Sequence, residues 1–247
     1  MKTGYEPEFD FPARDAPERT YLLATVPRSG STYLSHVLWR TGCLGAPLEY
    51  LNFEPAGPYG HANRSPAEQT RLWHAALRHR VSPNGVFGLK AFPLQLEALQ
   101  QNNPGLLREV MRQVVPSRAG SRIVYLRRRD RTAHAISYAR AMLSGVWRKE
   151  QEHAAMAVPD YSPVAVERAG RLIDGQESAW NAMFAELNLT ALTLWYEDVV
   201  ADPGKAAGEV AAYLGVSLDP RAEVAIPMVE RQSQDGARVW AAKHQGG

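Results

Sequence analysis

The residues best suited to chemistry stand in one short run, Pro27-Arg28-Ser29-Gly30-Ser31-Thr32. A glycine among small hydroxyl residues lets backbone N–H groups point into a turn, and an arginine fork can grip two oxygens of a phosphate. The run departs from the G-x-x-x-x-G-K-[ST] spacing of nucleoside-triphosphate loops, because its cation precedes the glycine and no lysine follows. An ordinary Ser/Gly turn uses the same residues, so the run alone leaves both readings open. A second pair is Arg128 and Ser137, nine residues apart. Arg128 follows an apolar run, and ligands of α/β sheets bind at the carboxyl ends of strands. An arginine fork and a serine hydroxyl there would serve a phosphate, with Arg140 one turn further on. A solvated turn pairing Arg127 to Arg131 with Asp130 is the alternative.

Other residues carry weaker signals. Lys90 ends another apolar run and is either a second active cation or a solvated lysine. Glu49, in Gly45-Ala46-Pro47-Leu48-Glu49-Tyr50, reads by itself as a surface carboxylate. His36 is a base in reserve or a satisfied, partly buried histidine. Trp39, Trp73, Trp147, Trp195 and Trp240 can stack on a sugar or a base, or fill the core. Cys43 is the single cysteine, H-E-x-x-H is missing and the histidines are scattered, so no metal is expected.

The elements that must position these residues follow from periodicity. Tyr21 to Thr25 reads as a short buried strand, and Gly85 to Phe92, Arg122 to Leu126 and Ala191 to Trp195 read as three further strands. A helix is expected from near Ser31, with Leu34, Val37, Leu38 and Thr41 on one face and Gly42 at its end. Ser65-Pro66-Ala67-Glu68 resembles a capping box for a helix to about Arg80. Pro93 to Asn102 and Gly105 to Val115 read as helices. Asp130 caps a helix that turns Ala135, Ile136, Ala139, Met142 and Leu143 inward. Ser162-Pro163 opens a long helix, and Pro203 to Leu214 forms another; 145 to 161 reads as a covering segment. Strands alternating with helices predict an α/β fold with a central parallel sheet flanked by helices.

Bulk properties narrow the class. At 247 residues, 45% hydrophobic and 22% charged, the chain suits one substantial domain, expected over residues 20–247 after a flexible arm of residues 1–19. A net charge of +2 supplies no basic field for nucleic acid. No apolar run reaches the roughly 18 residues of a membrane span, and the acidic, proline-rich beginning lacks a signal-peptide core. With one cysteine, these features predict a cytoplasmic protein.

Taken together and in order, the motifs resemble PAPS-dependent sulfotransferases (PAPS is 3′-phosphoadenosine 5′-phosphosulfate). Val26 to Thr32 is similar to their 5′-phosphosulfate loop, and Arg128 with Ser137 to their 3′-phosphate motif. Thr41-Gly42 with Gly45 to Tyr50, Asn84 to Lys90, Ala135 to Ala141 with Val146-Trp147-Arg148, and Glu230-Arg231-Gln232 with Trp240 resemble the bacterial carbohydrate branch, of the mycobacterial trehalose sulfotransferase type. The resemblance runs from about Tyr21 to Trp240, though Ser233-Gln234 stand where the family carries Ala-Asp. It implies a P-loop-like fold, PAPS as co-substrate and PAP as product. It implies that Arg28, Ser29, Gly30, Ser31 and Thr32 hold the 5′ end and that Arg128 and Ser137 hold the 3′-phosphate. Arg231 and Gln232 join the cofactor site by the same resemblance, and the proposed catalytic base falls on Glu49. Arg28 and the loop amides then suit the charge that builds on the bridging oxygen, with Lys90 a second catalytic cation. The acceptor is expected to be a small, sugar-like molecule with a free hydroxyl, and the enzyme a homodimer. A P-loop kinase-like enzyme would need the missing lysine. A non-catalytic PAP-binding module would keep the arginines and make no use of Glu49.

Overall fold

A computed structural model describes residues 3–147, 151, 159–227 and 235–245. Its strands are β1 (Arg19–Ala24), β2 (Val86–Ala91), β3 (Ile123–Arg127) and β4 (Ala191–Trp195), all parallel, in the order β2-β1-β3-β4. The helices are α1 (Ser31–Arg40), α2 (Pro66–His79), α3 (Pro93–Asn102), α4 (Pro104–Val114), α5 (Arg131–Ser144), α6 (Pro163–Glu186), α7 (Tyr196–Ala201), α8 (Pro203–Leu214) and α9 (Asp235–Gln245). This is the α/β architecture expected from the alternating pattern.

Parallel strands are buried on both faces, which is why β1, β2 and β3 read as apolar runs, whereas β4 at the sheet edge buries only Leu194. The two-residue period sorts them. Leu22, Ala24, Ile123 and Tyr125 face one core with Trp73, Val110, Ile136 and Trp180. Tyr21, Leu23, Val124 and Leu126 face the other with Leu34 and Leu38 of α1 and Val210 and Leu214 of α8. β1 lies centrally. Its chain leaves toward β2, whereas β3 pairs on its other side, so the connections diverge between the carboxyl ends of β1 and β3. Such a switch point opens a crevice, and the loops carrying Arg28 and Arg128 flank it.

Local signals hold at most boundaries. Asp130 accepts from Ala133 N at 2.8 Å, Ser162 from Ala165 N at 3.2 Å and Ser65 from Glu68 N at 3.3 Å. Gly42 follows α1 at φ 63°, a left-handed conformation that suits glycine. The capping box at Ser65 is only half made, because the Glu68 carboxylate turns to Arg71 at 2.8 and 2.6 Å. Leu143 is 51% exposed rather than buried, since the last turn of α5 runs beyond the core. Helices α7 and α9 were not foreseen. The expected cover at 145–161 lies largely outside the described residues, as do Glu230, Arg231 and Gln232.

The segment before β1, expected as a loose arm, is packed. Phe11 is buried and donates its N–H to His79 O at 2.8 Å, and Arg14 N–H reaches Arg78 O at 3.0 Å. These contacts are with the distant end of α2 and leave no mark on local composition.

The loop after α1 is drawn onto the edge of the sheet. Leu48 forms a parallel bridge with Leu89 of β2, and Lys90 N donates to Leu48 O at 3.1 Å. Close approach depends on Gly88, where an added Cβ would lie 2.5 Å from Tyr21 Cζ and 2.7 Å from Pro47 Cβ. Gly88→Ala should therefore lower the unfolding free energy by about 1–3 kcal/mol, the usual range for overpacking. Urea denaturation measures this, and unchanged stability would mean that the loop does not press on the strand.

Candidate functional site

The first loop leaves β1 at Thr25, whose Oγ1 lies 2.5 Å from Ser29 Oγ, both side chains buried. Ser29 N–H closes the turn on Val26 O at 3.2 Å. Two distant helices hold its carbonyls: Trp180 Nε1 of α6 donates to Thr25 O and His134 Nε2 of α5 to Pro27 O, each at 2.8 Å. Arg28 has φ 67°, left-handed and strained for a residue with a side chain. Gly30 has φ 90° and is backed by the Tyr196 ring, where any Cβ would lie 2.1 Å from Tyr196 Cδ2. Gly30 is also the N-cap of α1 and brings no capping side chain. The first N–H groups of a helix lack intrahelical acceptors, so this end suits an anion.

Arg28 and Ser137 are brought together directly. Arg28 Nε donates to Ser137 Oγ at 3.1 Å, and Nη1 to Trp147 O at 2.5 Å. In the basic cluster after β3, the pairing is not with Asp130, which caps α5. Arg127 pairs with Glu177 at 2.7 Å, Arg129 with Asp198 at 2.5 Å, and Arg131 with Glu177 at 2.8 Å and with Asp174. Arg128 instead lies over the Tyr196 ring, 4.9 Å from its centroid, with Nε 4.0 Å from Glu197 and buried without a hydrogen bond. Arg140 is half-buried on α5.

Lys90 is not solvated. It is 2% exposed, and its Nζ lies 3.2 Å from Thr32 Oγ1 and 3.0 Å from Glu49 Oε1. Glu49 is correspondingly no free surface carboxylate. Its Oε2 accepts from Asn52 Nδ2 at 2.7 Å and Gln95 Nε2 at 3.3 Å. Lys90 thus joins the loop of Arg28 to the loop of Glu49. His36, the reserve base, is buried with Nδ1 2.8 Å from Thr32 O. Its ring also lines a cavity of ≈ 430 Å³ between α1 and α8. Trp39, Trp73 and Trp240 are core residues, and Trp195 is flanked by Arg127 and Arg129.

Several residues at the site escaped the sequence reading. Glu197 accepts from Arg129 N at 3.1 Å and Asp130 N at 3.2 Å, holding the turn that aims Arg128. Tyr196 backs Gly30 and Arg128 at once. A Tyr-Glu pair directly after a strand was the available signal. Asn52, Gln95, Trp180 and His134 carried none. Among the described residues no group of three or more His, Cys, Asp or Glu side chains could hold a metal, and no helix is long and apolar enough to cross a membrane.

Residues 20–246 match the Stf0 sulphotransferase family. The chain belongs to that family. The family takes in nearly everything after the packed N-terminal segment, including both arginine loops and the Glu49–Lys90 pair, so the chain is a sulfotransferase-family enzyme. It is similar to trehalose 2-sulfotransferase of Mycobacterium tuberculosis, 27% identical with 92% of this chain and 94% of the relative covered. It is 26% identical to the Mycolicibacterium smegmatis enzyme of the same name, covering 91% and 93%. Among solved structures, the sulfotransferase domain from the curacin biosynthetic pathway matches with TM-score 0.47 and 13% identity over 94% of this chain and 99% of that one. Retinol dehydratase, in complex with androsterone and inactive cofactor PAP, matches with TM-score 0.38 and 17% identity, covering 84% and 63%.

Two histidines of this sulfotransferase couple the site to stability. Burial holds both His36 and His134 down to about 4, helped at His36 by the charges of Lys90 and Arg40 and at His134 by Arg128 and Arg131. Unfolded histidines titrate near pH 6.5. Between about pH 6.5 and 4 the unfolded chain therefore binds more protons, and stability present above that window is lost as pH falls. Urea unfolding should show stability declining from about pH 7 to 5, with a shallower slope in His134→Gln. An unchanged slope in that variant would mean that His134 is not the group titrating.

Proposed function

We propose that this enzyme transfers a sulfuryl group from PAPS to a hydroxyl of a small, sugar-like acceptor, with Glu49 as general base. The observation that carries the reading is the contact of one buried ammonium, Lys90 Nζ, with both Thr32 of the first loop and Glu49. It puts a carboxylate beside an anion-binding loop, where an acceptor hydroxyl must lie to attack in line.

In this reading Ser29, Gly30, Ser31 and Thr32 with the α1 amides bind the 5′-phosphosulfate, and Arg28 faces the oxygen that bridges phosphorus and sulfur. The acceptor oxygen forms a bond to sulfur as the bridging S–O bond breaks. The electron pair leaves on the 5′-phosphate of PAP, where the arginine and amides stabilise the added charge. The acceptor proton passes to Glu49. Lys90 pairs with that carboxylate, while Asn52 and Gln95 fix its orientation. Arg128 and Ser137 bind the 3′-phosphate. The unused Nε of Arg128 and the hydroxyl of Ser137, occupied by Arg28, support this assignment, since an arriving phosphate can take over both. The trehalose 2-sulfotransferases among the relatives support a sugar-like acceptor. The chemistry asks for no metal.

Incubation with PAPS and a glycoside panel that includes trehalose, in EDTA, should yield products heavier by one sulfuryl group in mass spectrometry. In calorimetry, PAP should bind about ten- to a hundredfold tighter than adenosine 5′-phosphate, the worth of one charge-assisted hydrogen bond. Equal affinities would remove Arg128 and Ser137 from the 3′-phosphate, and PAP binding without turnover would leave a binding module.

Glu49→Gln keeps the size of the side chain and one acceptor for Lys90 but removes the basicity. It should bind PAP like the parent enzyme and lose about 10²–10⁴ in single-turnover rate. Near-normal turnover would transfer the base role elsewhere.

A further inference from the structure

The backbone of Glu49 has a partner from an unexpected place. Its N–H donates to Tyr5 Oη at 3.0 Å, across 44 residues of sequence. Leu48, Tyr50 and Asn52 close local turns on Ala46 O, Leu48 O and Glu49 O, so the amide of Glu49 is satisfied from outside its own loop. The Tyr5 ring stands edge-on to Tyr50 and Tyr59, with centroids 6.4 and 5.4 Å away.

What delivers Tyr5 is a strap, residues 3–14, and what clasps the strap is Arg80. This arginine is 4% exposed. Its Nη1 donates to Gly4 O at 2.8 Å and its Nη2 to Glu6 O at 3.2 Å, while Nε pairs with Asp10 at 3.0 Å. The Glu6 carboxylate folds back onto Thr3 N and Gly4 N, each at 2.8 Å, and closes the turn that presents Tyr5. Gly4, at φ 90°, lies against Trp39. The Arg80 carbonyl meanwhile accepts from Ala46 N at 3.2 Å, at the start of the Glu49 loop. One residue therefore ties both the strap and the loop. A planar fork with several donors suits two backbone carbonyls and a carboxylate, which a lysine could not span.

We propose that Tyr5 is a positioning residue for Glu49, and that the strap clasped by Arg80 is a working part of the active site. The inference rests on the reading of Glu49 as the base. The carboxylate is held at its tip by Lys90, Asn52 and Gln95, and Tyr5 fixes the backbone from which it projects. A base set slightly off line loses rate, because the near-attack geometry tolerates little displacement. The strap precedes the family match, which begins at residue 20, so the support comes from outside the matched region.

Tyr5→Phe removes one hydroxyl and keeps the ring between Tyr50 and Tyr59. With PAPS and the glycoside giving most product in the panel above, kcat should fall about three- to tenfold, the worth of one hydrogen bond. PAP affinity should stay at the parent value, and the thermal midpoint should fall by no more than about 2–4 °C. In a Glu49→Gln background the same change should cost nothing further, because Tyr5 acts through Glu49. Unchanged kcat in Tyr5→Phe, or an equal fall in both backgrounds, overturns the inference. A deletion of residues 2–10 that keeps PAP affinity and parent turnover overturns it as well. Near-normal turnover in Glu49→Gln alone would instead sink the base assignment, and the two failures are thereby told apart.

Discussion

A lysine ammonium shut away from water, at 2% exposure, is the constraint around which this site is arranged. An unpaired charge in such a place is very costly, and removing one partner of a buried pair commonly costs about 3–5 kcal/mol. Lys90 must therefore find an anion and a further acceptor, which are Glu49 and Thr32. Each imposes a demand on the chain. Glu49 arrives only because Leu48 docks on Leu89 as an extra sheet edge and Gly88 leaves room for Pro47. Thr32 arrives because α1 starts directly after the turn that ends β1. Sheet register, an absent Cβ and a helix start all converge on one nitrogen.

The opposite side of the crevice follows a different logic, in which cations are separated by how they are neutralised. Arg127, Arg129 and Arg131 meet Glu177, Asp198 and Asp174, whereas Arg128 rests on an aromatic face with its nearest carboxylate oxygen 4.0 Å from Nε. An aromatic ring supports a guanidinium without using up its N–H donors. Tyr196 does this while closing off Gly30, so the first residue of α7, directly after the strand farthest from the Lys90 side, supports both arginine loops. Helices α5 and α6 hold the first loop by its carbonyls through His134 and Trp180. The amino-terminal strap completes the enclosure beside Glu49.

Much of this was legible in the residues alone. The four strands, most helices and their caps were readable because apolar period and cap chemistry are local, and a parallel sheet writes both of its buried faces into short runs. The places of the Arg28 and Arg128 loops were readable because each follows directly on an apolar strand run, which is a local signal. The outward turn of Leu143 and the half-made cap at Ser65 were not, since each depends on a neighbour outside the local window.

By itself, then, the sequence determined an α/β fold with a parallel sheet, the positions of the two arginine loops and, through the order of its motifs, the family. The tertiary structure alone decided that Lys90 is buried against Glu49, that Arg28 meets Ser137 across 109 residues, and that Tyr5 reaches Glu49 across 44. The physical reason is that charge pairing and hydrogen bonding depend on distance in space. A lysine at a strand end looks the same in sequence whether water or a carboxylate receives it, and only the packed chain brings that carboxylate to 3.0 Å.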